Sequence, residues 1–129
     1  MNIRDYWSAV LRQDAEALRC YFHPDALINW HNTNEQFTVE EFIRANCEYP
    51  GDWEGEIEQI FFSGNTVITA VHVYSRDEKE HFRVTSFLQI EGEKIRSVNE
   101  YWGNDGPVPR WRKDMKIGRP IEAKNNNPD

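Results

Sequence analysis

The chain has 129 residues, 39% of them hydrophobic and 13% aromatic, with a formal charge of −7 and a pI near 5.1. That is enough chain, and enough aromatic surface, for one domain with a real core, and too much for a disordered segment. The acidic balance argues against a nucleic-acid backbone or an anionic membrane as partner. No apolar run reaches the ~18–20 residues of a membrane span, and Met1–Asp5 lacks a signal pattern, so a cytoplasmic protein is expected.

Ile3, Trp7, Val10, Leu11, Leu18 and Phe22 recur at helical spacing and predict a helix over 3–22, ended by His23-Pro24. Ala26 to His31 reads as a strand, and Asn32-Thr33-Asn34 as a polar turn. Thr38-Val39-Glu40-Glu41 is a capping box opening a second helix, with Val39, Phe42, Ile43, Asn46 and Cys47 on one face. It stops before Pro50-Gly51. Strands follow over 54–63, 66–75, 80–91 and 94–103, the last pair joined by Gly92-Glu93, a two-residue hairpin signal. After Gly103 come Gly106, Pro107 and Pro109, where regular structure is expected to end. Residues 1–120 read as one domain and 121–129 as a polar, disordered tail. Arg110, Arg112, Lys113 and Lys116 read as a solvated basic tail or an anion contact. Cys20 and Cys47 sit at apolar helical positions and are expected to be buried free thiols.

The turns imply a register, and the register sorts side chains into two faces. Counting from Glu91 opposite Lys94 and Ser75 opposite Glu80, one face carries Ile68, Ala70, His72, Tyr74, Arg83, Thr85, Phe87, Val98, Glu100 and Trp102. The other carries Val67, Val71, Val73, Phe82, Val84, Leu88, Ile90, Ile95 and Tyr101. The mixed face is expected to hold helices and a pocket. The apolar face is expected to pack on a second copy, giving a homodimer.

Tyr6-Trp7, then Tyr21-Phe22-His23-Pro24-Asp25-Ala26, then Gly92-Glu93-Lys94-Ile95 and Glu100-Tyr101-Trp102-Gly103 stand in an order and spacing that resembles the NTF2-like superfamily. The likeness covers about residues 3–104. It is greatest to the SnoaL-like and ketosteroid-isomerase-like branch, in particular an uncharacterised bacterial subgroup. The resemblance implies an α+β, cone-shaped fold, with N-terminal helices packed on a curved antiparallel sheet around a pocket. By position, the isomerase branch's oxyanion-binding tyrosine falls on Tyr6. Its general-base aspartate falls on Trp30, which cannot move a proton, and its protonated aspartic acid on Thr85. One of three catalytic groups is kept, so steroid isomerisation is not expected. The resemblance also puts Val98, Glu100 and Trp102 in the pocket.

Glu100 stands between Tyr101 and Trp102, where apolar walls would raise its pKa and suit it to acid or base catalysis. The alternative is an ion pair with Arg83. Tyr6 and His72 complete the catalytic candidates; Trp30, His31, Arg83, Thr85, Phe87, Val98 and Trp102 are the ligand-binding candidates. The four histidines, 23, 31, 72 and 81, show no metal-binding spacing, and no nucleophile elbow or phosphate loop is present, so neither metal nor cofactor is expected. The functional expectation is a pocket for a small apolar molecule. Whether it serves cofactor-free proton-transfer chemistry, carriage without turnover, or only a closed cavity in an interaction domain stays open.

Overall fold

The structure, a computed structural model, describes residues 1–121; the tail expected over 121–129 lies, beyond Ile121, outside the described residues. The elements run α1 (Ile3–Arg12), α2 (Ala15–Arg19), β1 (Phe22–Trp30), β2 (Glu35–Thr38), α3 (Val39–Cys47), β3 (Trp53–Ser63), β4 (Thr66–Ser75), β5 (His81–Glu91), β6 (Lys94–Asn104) and α4 (Arg110–Met115). The single helix expected over 3–22 is broken. Gln13 turns left-handed at φ +57, and Asp14 caps α2 by accepting from the Ala17 amide. Asn2 caps α1 in the same way through the Asp5 amide. The capping box of α3 forms as expected, Thr38 and Glu41 each satisfying the other's backbone N–H.

Six strands form one open sheet in the order β2-β1-β6-β5-β4-β3. All neighbours are antiparallel except β1 and β6, which run parallel. The short strand β2 and the start of β1 at Phe22 are additions to the expected elements. Pro24 falls where the β1–β6 register shifts between Phe22 and Leu27, so its missing N–H interrupts no regular ladder.

The β5–β6 hairpin corrects the expected faces. Glu91 does oppose Lys94, and Gly92 takes φ +66, the left-handed backbone that its turn position requires. Between Gln89 and Ile90, however, β6 carries one extra residue, Arg96, and the register slips. Ser86, not Thr85, then opposes Glu100, and Val84, not Arg83, opposes Trp102. A one-residue bulge turns every later side chain of β6 to the other face. Glu100, Trp102 and Val98 therefore share a face with Val67, Val71, Val73, Phe82, Val84 and Leu88.

That apolar set is the concave, covered face. It was expected to pack on a second copy; instead α1 and α3 lie over it, contributing Tyr6, Trp7, Val10, Phe42 and Ile43 to the core. Trp7 is 1% exposed, and its indole N–H donates to Thr69 Oγ1 at 3.1 Å. Leu11 of α1 packs against Gly55 of β3. A Cβ on that glycine would stand 2.6 Å from the His72 carbonyl oxygen and 3.2 Å from the Leu11 side chain. Glycine sets the depth at which the helix seats on the sheet.

Regular structure does not end at Gly103. Arg110–Met115 forms α4, all of it exposed, with the Arg112 guanidinium 5.2 Å from the Trp111 ring centre. Cys20 is also not buried: it stands exposed at the end of α2, whereas Cys47 is half-buried, and both are free thiols.

Candidate functional site: an aromatic cavity backed by a buried carboxylate

A cavity of about 600 Å³ lies between the helices and the concave face. Its deep end is closed by Val10 of α1 and Val73 of β4, both buried. Its side walls are Trp30, Trp53, Phe82 and Trp102, arranged in tilted and edge-on contacts: Trp53 to Phe82 at 5.7 Å, Phe82 to Trp102 at 6.2 Å, and Trp102 to Trp30 at 6.3 Å. Exposed Asn32, Thr33, Tyr49 and Asn104 stand at the mouth. Two amides there serve structural bonds. Gln13 donates to the carbonyls of Asn46 and Tyr49, and Asn46 donates to the Val10 carbonyl, tying α1 to α3.

Glu100 lies behind this wall and is 2% exposed. Its Oε1 accepts from the Trp30 indole at 3.0 Å and the Trp102 indole at 3.3 Å; its Oε2 stands 2.6 Å from Ser86 Oγ. The parallel pairing of β1 with β6, Trp30 beside Glu100, is what brings the first indole to the carboxyl. Burial pushes the Glu100 pKa up, and the hydrogen bonds from Ser86, Trp102 and Trp30 pull the other way. Oε1 takes two N–H donors and Oε2 accepts from the Ser86 hydroxyl, so both carboxyl oxygens are satisfied. The expected ion pair with Arg83 does not form.

Tyr6 is wholly buried, edge-on to Trp7, Tyr21 and Phe22. Its hydroxyl makes no hydrogen bond. Burial, and after it the charge of Glu100, holds this phenol's pKa well above the usual value.

The remaining sequence candidates separate by face. Trp30 and Trp102 line the cavity, and Val98 is buried in the core beneath the helices. His72, Arg83, Thr85 and Phe87 lie on the convex face, on the far side of the sheet from the cavity. Arg83 pairs there with Asp105 and Glu58, which raises its pKa. His72 is bonded to His81; burial, then the charge of Arg83, lowers its pKa. His31 is also convex, stacked on Tyr101 at 4.5 Å and bonded to Asn99. Trp53, Phe82 and Tyr49 were missed as cavity residues. Phe82 was legible as apolar-face, but that face was assigned to the wrong neighbour. Trp53 and Tyr49 flank the Pro50-Gly51 break, where periodicity gives no signal.

N-terminal helices packed on a curved sheet are a fold shared with NTF2-like proteins of known structure. A crystal structure of a candidate ketosteroid isomerase from Kribbella flavida superposes with a TM-score of 0.77 at 21% identity, covering 93% of this chain and 88% of that one. An NTF2-like protein of unknown function from Burkholderia xenovorans gives 0.73 at 18% identity, covering 91% of each chain. An LEH-like epoxide hydrolase from M. tuberculosis gives 0.64 at 13% identity, covering 78% and 79%. Among curated proteins, no significant match was found. The SnoaL-like domain profile matches residues 3–98, and the chain belongs to that family.

Proposed function

We propose that this protein binds a small, uncharged, ring-bearing molecule in its aromatic cavity and holds it without covalent chemistry. The observation that carries this reading is the lining itself. The walls are indole, phenyl and aliphatic surface, the mouth is amide and hydroxyl, and among the described lining residues there is no carboxylate, imidazole, amine or thiol. A cavity of this size and polarity falls in the usual range for drug-sized ligands. Relatives named for a ketosteroid and for an epoxide are in keeping with a neutral ligand.

The test uses N-phenyl-1-naphthylamine, a neutral apolar fluorophore. With Trp30, Trp53 and Trp102 in the wall, saturable binding is read as energy transfer from tryptophan to the probe. Ala45, on the α3 side of the cavity, offers a filling variant. Ala45→Trp is expected to abolish probe binding, and Glu100→Gln to leave it intact. No saturable binding, or equal binding by Ala45→Trp, ends the proposal.

A second reading is favoured by one observation: a buried Glu100 with a raised pKa near an unpartnered Tyr6 hydroxyl. In that reading the Trp30 and Trp102 rings move aside, Glu100 transfers a proton and Tyr6 donates a hydrogen bond to the substrate. Turnover of any ligand identified, lost in Glu100→Gln while probe binding stays, would select it. The expected homodimer carries over to the convex face, where Leu27, Phe87 and Tyr101 are exposed. Sedimentation velocity at micromolar concentration reads it directly, and a monomer removes it.

A further inference from the structure

The convex face gathers metal-ligating groups that no spacing in the sequence announces. Antiparallel pairing of β4 with β5 sets His72 diagonally from His81, and Asp105, just past the end of β6, reaches the same spot. One donor atom from each of the three lies within 4.8 Å of the others. His72 Nε2 stands 2.9 Å from His81 Nδ1 and 3.7 Å from Asp105 Oδ2. Donors around a tetrahedral zinc, with bonds of about 2.0–2.1 Å, lie about 3.3 Å apart. The two distances bracket that edge.

The second imidazole is already oriented as a ligand. His81 Nε2 is 3.0 Å from the Glu78 carbonyl oxygen, which can only accept, so Nε2 carries the proton and Nδ1 presents its lone pair to the cluster. Glu78 itself is held at φ +61 in a turn fixed by Ser75 and Asp77. In this arrangement His72 Nε2–H donates to His81 Nδ1. Ligation needs only the other neutral tautomer of His72, with no proton gained or lost. Glu56 and Glu58 bring carboxylate oxygens within 4.8 Å of a His72 nitrogen, in a second group that includes neither His81 nor Asp105. Arg83, bonded to Asp105 and Glu58, reaches into the group.

We propose that His72, His81 and Asp105 bind a divalent transition-metal ion of the zinc class, with Arg83 orienting Asp105. The ligand set, two imidazoles and a carboxylate, suits zinc rather than calcium or magnesium. The site lies across the sheet from the cavity and does not rest on what the cavity binds.

The experiment titrates the full chain, stripped with a chelator, with ZnCl₂ by calorimetry, and with CoCl₂ by visible absorption. One saturable site is expected, together with the d–d bands of low-coordinate Co²⁺ and a raised Tm in Zn²⁺. The double variant His72→Ala/His81→Ala, checked for native circular dichroism, should lose both signals. Asp105→Asn, changed at an end of β6 where it disturbs no core, should weaken Zn²⁺ by at least about tenfold, since even changes in a ligand's outer partners cost about 10–100-fold. No saturable binding by the wild type overturns the proposal. So does binding of equal strength by the double variant, or by Asp105→Asn if the double variant fails to fold.

Discussion

The two faces of one sheet carry different chemistry. On the concave face the helices cover an apolar wall in which a single carboxyl, Glu100, is met only by neutral donors. On the convex face Glu56, Glu58, Asp105, Arg83, His72 and His81 meet one another at the surface, where water shares the solvation. The difference teaches that the same residue type has different consequences by face. Burial raises the pKa of the carboxyl on the covered face, while Glu58 and Asp105 on the open face meet a guanidinium.

The largest contrast is in packing. Trp7→Ala removes a fully buried indole and strands the Thr69 hydroxyl, and should destabilise by about 3–5 kcal/mol in urea unfolding. Convex Phe87→Ala, at a side chain 37% exposed, should stay well below that. Near-equal losses would break the comparison. Gly55→Ala forces a methyl against the His72 carbonyl and Leu11, and is expected to cost about 1–3 kcal/mol, unseating α1 from the concave face.

Glu100 supplies a pH signature. Its folded pKa is raised, so the native state holds its proton more tightly than the unfolded chain. Below the ordinary glutamate value of about 4.3 both states are protonated and this stabilisation is fully present. As pH rises above that value the unfolded state ionises first, and stability falls until the folded pKa is passed. Glu100→Gln keeps the neutral hydrogen bonds and lacks this fall. The variant's advantage over wild type, measured by urea unfolding from pH 4 to 8, should therefore grow with pH; a constant difference would show that Glu100 titrates normally.

Tyr6→Phe removes a buried hydroxyl that has no partner, and should stabilise by about 1 kcal/mol where other core substitutions destabilise. Destabilisation would show that the hydroxyl is satisfied in solution. Arg83→Met on the convex face removes partly exposed ion pairs and should change stability by only about 0.2–1 kcal/mol, less at high salt.

Much of the secondary structure was legible because its signals are local. The capping box at Thr38, the alternation of β4 and β5, and Gly92-Glu93 in the hairpin each act within a few residues, and each appeared where expected. The cavity was less legible. Trp30 and Trp102 were placed in it by resemblance, which also put Thr85 there, on the wrong face; His72, Arg83 and Phe87 were grouped with them by a count that passed over Arg96. The buried positions Ile95 and Val98 stand three residues apart, a break in the period of two that the count passed over. The bulge is decided at a distance, where Glu100 meets Ser86 and both indoles, and where Arg96 reaches Glu91 and Asp25. The sequence alone was enough for an N-terminal helical stretch and an antiparallel meander from β3 to β6 with two distinct faces; the parallel pairing of β1 with β6 was not foreseen. Only the tertiary structure decided which face is covered and which histidines meet, because side chains alternate with a period of two and a single slipped residue exchanges inside for outside.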